Sequence, residues 1–289
     1  CNAFDTDDDN DGVLDVDDDF PDDPNGFVQL SLGDGFQSGQ PEDNATLGGS
    51  LSTTCAILSD GTLRCWGDNQ YGQIGDGTRG TTRWTPTNVS VPNDKSPVSI
   101  STTGGDSDFH CATMDDGSLY CWGFNSYGQL GLGSICSSGS YINGCNGNYG
   151  ISNPSMVTLP AGRTATAVAA GSHHTCAILD DGSVWCWGSN SDGQLGVGNR
   201  SSGSWAYSPN QALLPSGVDA VAISLGSGHT CVVVDDGRAF CWGYNGDGNT
   251  GDGTAGEDRT SPTEVSGTAS YVSISSGSNH NCAITNTGT

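Results

Sequence analysis

Basic residues are scarce in this chain. Lys and Arg total eight, Lys95 is the sole lysine, and the formal net charge is −25 over 289 residues. Gripping a phosphate backbone takes many clustered cations, so direct nucleic-acid binding is excluded as a working function. Long apolar runs are missing too, and no stretch is long enough to cross a bilayer as a helix. No segment holds a helical period. Catalytic signatures are also lacking: no nucleophile with its base, no glycine loop feeding a helix to cradle phosphate, no catalytic zinc motif. These absences favour a protein that binds over one that catalyses.

What the chain has is a repeated phrase. Cys55-Ala-Ile-Leu-Ser-Asp-Gly-Thr-Leu-Arg-Cys-Trp-Gly67 returns at Cys111–Gly123, Cys176–Gly188 and Cys231–Gly243, and a fifth copy starts at Cys282. A β-prone run precedes each copy: Val28-Gln-Leu-Ser, Val98-Ser-Ile-Ser, Val168-Ala-Ala, Val221-Ala-Ile-Ser and Val272-Ser-Ile-Ser. Asp-Gly between two β-prone runs predicts a hairpin. If Cys55 faces Cys65, Leu58 faces Thr62 and the loop is Ser59-Asp60-Gly61, a type I turn with glycine in the left-handed bulge position. Counting outward places the two cysteines on a non-hydrogen-bonded pair, where side chains come closest. A cross-strand disulfide is therefore open to Cys55–Cys65, Cys111–Cys121, Cys176–Cys186 and Cys231–Cys241.

A second phrase follows each Cys-Trp-Gly. It reads Asn69-Gln-Tyr-Gly-Gln-Ile-Gly75, Asn125-Ser-Tyr-Gly-Gln-Leu-Gly131 and Asn190-Ser-Asp-Gly-Gln-Leu-Gly196, with Asn245-Gly-Asp-Gly-Asn-Thr-Gly251 as a divergent fourth. A Pro-containing stretch, as at Ser208-Pro209 and Ser261-Pro262, then leads to the next unit. Four short strands per unit with turn signals between them predict an all-β fold, a β-propeller of four-stranded blades. These phrases resemble the regulator of chromosome condensation repeat, in the cysteine-paired form of secreted bacterial proteins. The resemblance covers residues 27–289 and implies a propeller, usually of seven blades. Here there are four complete repeats and the start of a fifth. That fifth copy stops inside a hairpin at Thr289, and an open sheet edge is something proteins avoid. The expectation is that the chain is part of a longer one or that another chain completes it. Residues 37–50 and 134–150 read as insertions.

Residues 1–26 are a separate, irregular segment. The first 24 hold eleven Asp and no Lys, Arg or Glu. Asp7, Asp9 and Asp11 fall at positions 1, 3 and 5 of a calcium loop, with Gly12 at the sharp turn, the Val13 carbonyl at 7, Asp15 at 9 and Asp18 at 12. Carboxylates this close repel one another without a cation between them. No helical period flanks the loop, so it is not an EF-hand. The segment, with its Phe20-Pro-Asp-Asp-Pro24 ending, resembles a thrombospondin type 3 repeat, and that resemblance implies Ca²⁺ stiffening a linker.

Twelve cysteines, eight of them in regularly spaced pairs, point to an oxidising compartment, hence to secretion or the cell surface. Each short loop closed contributes about 2 to 3 kcal/mol. Cys136 and Cys145 in the second insertion are expected to form a fifth, local bridge, and Cys1 and Cys282 are left without evident partners. His110, His174, His229 and His280 recur just before the repeat cysteines, with His173 beside His174. They read as structural groups of their own blades, against a metal ring around the axis. Asp60, Asp116, Asp181 and Asp236 recur at the turns, and Trp66, Trp122, Trp187 and Trp242 read as blade core. Catalytic groups should break the repeat rather than obey it, and the exposed aromatics that break it are candidates for binding. Trp84, Tyr141, Tyr149, Trp205 and Tyr207 break it, and they form the candidate surface for a protein or glycan ligand or for self-association, against the alternative that each one only packs on a neighbouring blade.

The functional expectation is a non-enzymatic bacterial propeller, secreted or surface-displayed, in adhesion or extracellular assembly, possible as a filament or array subunit. The alternatives are a soluble protein-binding module, such as an inhibitor of a secreted enzyme, and an accessory domain of a larger enzyme. Calcium should bind residues 7–18. Titration of the Asp9→Ala, Asp11→Ala variant should show uptake at that loop abolished, and unchanged uptake would rule out this ligand set.

Overall fold

The computed structural model describes residues 27–32, 53–102, 108–139, 145, 149–200 and 205–288. The acidic segment, with Asp7, Asp9, Asp11, Val13, Asp15 and Asp18, lies outside the described residues, as does Tyr141. The described chain is all-β. Blade one holds β1 (Phe27–Leu32), β2 (Thr53–Leu58), β3 (Leu63–Gly67) and β4 (Arg83–Asn88). Blade two holds β5 (Pro97–Thr102), β6 (Phe109–Met114), β7 (Leu119–Phe124) and β8 (Gly150–Met156). Blade three holds β9 (Ala165–Ala170), β10 (His174–Leu179), β11 (Val184–Ser189) and β12 (Trp205–Gln211). Blade four holds β13 (Ala220–Leu225), β14 (His229–Val234), β15 (Ala239–Gly243) and β16 (Arg259–Glu264). A two-stranded sheet of β17 (Tyr271–Ser276) and β18 (Asn281–Thr285) follows. Every blade is an antiparallel meander, and the first strands β1, β5, β9, β13 and β17 neighbour one another in sequence around the axis.

The central hairpins form as their spacing predicts. Cys55 lies opposite Cys65, and the same register holds at Cys111–Cys121, Cys176–Cys186 and Cys231–Cys241. All four pairs are disulfides with Cα atoms 4.1 Å apart, close to the spacing of a non-hydrogen-bonded pair. Leu58 N–H donates to the Thr62 carbonyl at 2.9 Å, and Gly61 takes φ +78°. The Asp60 carboxylate accepts from the Thr62 amide and hydroxyl at 2.8 and 2.6 Å, which is the turn role its position predicts. Cys136 and Cys145 form the local bridge.

Two readings need correction. The Pro-containing stretch is the fourth strand, not a connector: Pro86, Pro154, Pro209 and Pro262 all lie within outer strands. An outer strand has one unpaired edge, and its pairing shifts register beside each Cys-Trp-Gly, so a residue without an N–H is tolerated there. The tryptophans also do more than fill their own blade. Trp122, Trp187 and Trp242 are fully buried, and each indole N–H crosses to the preceding blade. They donate to the carbonyls of Gln73, Gln129 and Gln194 at 2.9, 2.8 and 2.8 Å. Gly75, Gly131 and Gly196 lie under those rings, where a Cβ would fall within 2.8 Å of the indole nitrogen.

Each ring takes roughly 200 Å² from water, which at about 25 cal/mol per Å² contributes on the order of 5 kcal/mol before entropy is counted. Replacing Trp187 by Phe should lower unfolding free energy by about 2 to 4 kcal/mol, through a lost buried hydrogen bond and a small cavity. Trp66 in blade one is part exposed, so Trp66→Phe should cost much less. Equal losses in urea unfolding would contradict the cross-blade role.

Candidate aromatic binding face

The blades present two different ends. At one end lie the Asp-Gly turns, and much of the scarce positive charge is spent there. Lys95 pairs with Asp116, Arg163 with Asp180 and Asp181, and Arg238 with Asp236 and Glu264. Asp116 is held below the usual carboxylate range chiefly by its bond from Lys95. At the other end lie the Asn-x-x-Gly loops between third and fourth strands, and the segments that lead into the second strands.

Those loops are rigid because two amide side chains organise each one. The Asn69 side-chain oxygen accepts from Ile74 N–H at 3.1 Å, and Asn125, Asn190 and Asn245 repeat the bond to Leu130, Leu195 and Thr250. The Gln73 side-chain oxygen accepts from Tyr71 N–H at 2.8 Å, and Gln129 does the same for Tyr127 at 3.0 Å. Tyr71 and Tyr127 are thereby fixed at the loop tips of adjacent blades.

Between and beside them runs a continuous aromatic ridge over three blades. Tyr71 packs on Phe124 with centroids 4.8 Å apart, and Phe124 meets Tyr127 at 6.1 Å. Tyr127 then meets His173 at 4.3 Å and Trp205 at 5.5 Å, both edge-on. Tyr207 crosses over Gly128, where an added Cβ would come within 2.7 Å of its ring. Tyr149 precedes Gly150, whose Cα sits against Tyr71, and the Tyr149 carbonyl accepts from Asn125 N–H at 2.7 Å. Tyr149, Trp205 and Tyr207 remain 42%, 42% and 38% exposed.

So three of the five aromatics singled out by breaking the repeat converge on one face. Trp84 does not join them. It occupies the register position of Ser152, Tyr207 and Thr260, which rest on Gly72, Gly128 and Gly193 of the preceding blade. Among the described residues no blade precedes the first, and Trp84 is 80% exposed. Its counterparts in blades two to four mark the blade joints. Sequence reasoning missed Tyr71, Phe124, Tyr127 and His173, because Tyr71 and Tyr127 obey the repeat and read as turn residues. Their pairing across neighbouring units was the available signal.

The surroundings of the ridge are acidic. Asp68, Asp192 and Asp247 sit in or beside the loops, and the arginines at this end are committed. Arg83 pairs with Asp76, Arg200 with Asp258 and Arg259 with Asp252, while Arg79 donates to the Cys145 carbonyl at 2.9 Å. An aromatic face in a negative field suits Lys and Arg side chains, which rings attract through their π faces.

Two of the repeat histidines serve blade joints. His110, His174 and His229 are fully buried. His174 Nε2 meets the Thr230 hydroxyl of the next blade at 2.9 Å, and His229 Nε2 meets Asn281 Oδ1 at 2.9 Å. His174 and His229 thus reach into the following sheet, where the sequence placed them within their own blades, whereas His110 meets the Trp122 ring of its own blade at 5.8 Å, as the sequence predicts. Among the described residues, no three His, Cys, Asp or Glu side chains group to hold a metal.

A regulator of chromosome condensation (RCC1) repeat model matches residues 116–178, 181–233 and 236–284. A second model of the same repeat matches residues 48–73, 98–129, 165–194 and 220–249. Similar proteins include the RCC1 domain-containing protein RUG3, mitochondrial, of Arabidopsis thaliana, 31% identical over 84% of this chain and 51% of that protein. The ultraviolet-B receptor UVR8 of the same plant is 30% identical over 78% of this chain and 48% of its own length. The chain thus spans about half the length of these two relatives. Human WBSCR16 superposes with a TM-score of 0.69 at 19% identity, covering 91% of this chain and 59% of that one. Yeast RCC1 (Prp20), in its complex with Kap60, superposes with a TM-score of 0.64 at 21% identity, covering 81% and 52%. At such identities the likeness to the two solved structures is one of fold.

Burial pushes His110 and His174 down to about 3, and the charges of His229 and His173 add to the effect on His174. Their folded values lie below the unfolded one near 6.5, so the unfolded chain takes up protons first. The stability they contribute is complete above about pH 6.5 and declines as pH falls toward 3, by about 1.4 kcal/mol per pH unit for each histidine. In urea unfolding between pH 6.5 and 4.5, His174→Asn should flatten the decline by about one proton. An unchanged slope would show that His174 titrates alike in both states.

Proposed function

The chain belongs to the RCC1 repeat family, and on that footing we propose that it is a non-enzymatic, protein-binding propeller that docks a cationic protein surface on its aromatic ridge. Its setting is extracellular or cell-surface, in adhesion or extracellular assembly, with calcium stiffening the acidic amino-terminal segment. The observation that carries the reading is the ridge itself: Tyr71, Phe124, Tyr127, His173 and Trp205 in unbroken ring contact across blades one to three. Rigid, part-exposed aromatics on loops fixed by buried amides lose little entropy on binding, as interface anchors require. Five disulfides and a net charge of −25 support an oxidising, extracellular setting. Among the described residues no helix is long and apolar enough to cross a membrane, which says nothing of strands.

The partner is to be captured by cross-linking in the native extracellular medium, and then bound in purified form. Trp205→Ala with Tyr149→Ala should weaken that binding about 30-fold or more, as loss of a central anchor does, with the melting temperature held. Undiminished affinity would overturn the ridge as the docking face. Electron microscopy of the secreted material, with calcium and then with a chelator, tests the assembly role, and dispersed single particles in both would remove it.

A further inference from the structure

We propose that the loop-tip face takes an extended, arginine-bearing segment of its partner, whose guanidinium sits between Asp192 and Tyr244 over Gly228. This rests on the reading of the partner as cationic, and adds which side chain is taken and where. The arginine seat lies one joint beyond the ridge and contains none of its rings.

The repeat shows how the seat arises. At the first joint the loop-tip residue Tyr71 meets Phe124, which follows Cys-Trp-Gly in the next blade. At the third joint the same two positions hold Asp192 and Tyr244. A carboxylate thus replaces one ring of the pair. Gly228 stands where His173 stands at the second joint: the carbonyls of His173 and Gly228 accept from Ser189 and Tyr244 N–H, both at 2.8 Å. A Cβ at Gly228 would come 3.1 Å from Asp192 Oδ2 and 3.3 Å from Tyr244 Cβ, so the two side chains converge on that glycine. Tyr244 in turn lies over Gly246, where a Cβ would fall 2.2 Å from its hydroxyl oxygen. The result is a carboxylate and a phenol side by side, both part exposed, with no side chain on the backbone between them.

Charge and hydrogen bonding say what fits there. All eight Lys and Arg side chains are engaged elsewhere: Arg64 with Asp60, and the other seven in the contacts given above. Among the described residues none of them pairs with Asp192, whose Oδ2 accepts from the Ser191 hydroxyl at 3.0 Å. A planar guanidinium bonds a carboxylate through its edge and stacks its face on a phenol at once, which an ammonium cannot do. An independent observation identifies the rest of the ligand. Gln129 is fully buried, and its Nε2 has no hydrogen-bond partner. The matching amides of Gln73 and Gln194 donate to Asp68 Oδ2 at 2.8 Å and Ser189 Oγ at 3.4 Å, and Phe124 holds that position in blade two. A buried donor left unpaired is costly, and a peptide carbonyl entering the ridge beside Phe124 satisfies it. Carbonyls of a folded surface are mostly paired already, so an extended segment is the better donor of one. Gln129 and Asp192 lie on the loops of adjacent blades, within reach of a single such segment.

The test uses the full chain with isotope-labelled tyrosine rings. In one NMR spectrum Tyr244 reports the seat, while Tyr71, Tyr127, Tyr149 and Tyr207 report the ridge. The probes are N-acetyl-arginine amide, its lysine counterpart and its neutral isostere, the citrulline. The arginine probe should shift the Tyr244 signal saturably, at least about fivefold tighter than lysine and about tenfold tighter than citrulline. Asp192→Asn should erase the preference for arginine over citrulline, with the other tyrosine signals and the melting temperature unchanged. Lengthening the probe with glycines on both sides should tighten it about tenfold, as a carbonyl reaches Gln129. Equal binding of arginine and citrulline, or a preference that survives Asp192→Asn, would overturn the seat. No gain from lengthening would overturn the extended segment. Displacement of the arginine probe by calcium would make Asp192 a metal ligand and would overturn the seat as well. Shifts at the ridge tyrosines without Tyr244 would remove the seat and leave the ridge standing. A seat that holds while partner binding ignores Trp205→Ala with Tyr149→Ala would remove the ridge alone.

Discussion

An indole N–H bonded to a backbone carbonyl across a blade boundary is the interaction on which the rest of this structure depends. Each blade satisfies its strand hydrogen bonds within itself, so the sheets have no ladder to join them. Side-chain contacts must do it. Trp122, Trp187 and Trp242 supply the apolar bulk and one directional bond each. Inner strands add a few more, as where Ala170 N–H donates to the Ser101 hydroxyl and Ser276 N–H to Ser224. The carbonyl each tryptophan seeks belongs to a loop whose shape is set by one Asn and one Gln, so the recurring phrase is a lock as well as a turn. The family's repeat unit respects this. Residues 116–178 run from one Asp-Gly turn into the second strand of the following blade, so each unit straddles a joint.

The same rigidity makes the aromatic ridge possible. Loops that serve as locks cannot wander, so the tyrosines at their tips are held at fixed distances from neighbours in the next blade. Their polar backbone is satisfied internally, and the rings stay available to a ligand. Charge is divided between the two ends of the blades. The few cations are absorbed by turn and loop carboxylates, which leaves the ridge in a negative field.

Much of this was legible in the chain. The Cys-to-Cys register followed from counting outward from Asp-Gly, because a three-residue turn leaves a hairpin one pairing. The role of Asp60 and its equivalents followed from local turn chemistry. Four strands per unit were expected, but the place of the fourth was missed, because proline argues against a strand unless one knows that the strand is outermost. Tyr149, Trp205 and Tyr207 were visible as departures from the repeat, whereas Tyr71 and Tyr127 were hidden by conforming to it. Trp84 departs from the repeat for a different reason, since its cognates rest on a preceding blade.

By itself the sequence determined the central hairpin of each blade: its register, its disulfide and its turn. All of these are set by residues within about ten positions of one another, and short-range sterics and pairing geometry leave them little choice. What crosses from one unit to the next was decided only by the tertiary structure. Which carbonyl receives each indole, which histidine reaches which neighbour and which aromatics merge into one ridge all depend on the rotation of one sheet against another. That rotation comes from packing among residues about fifty positions apart, and no local pattern records it.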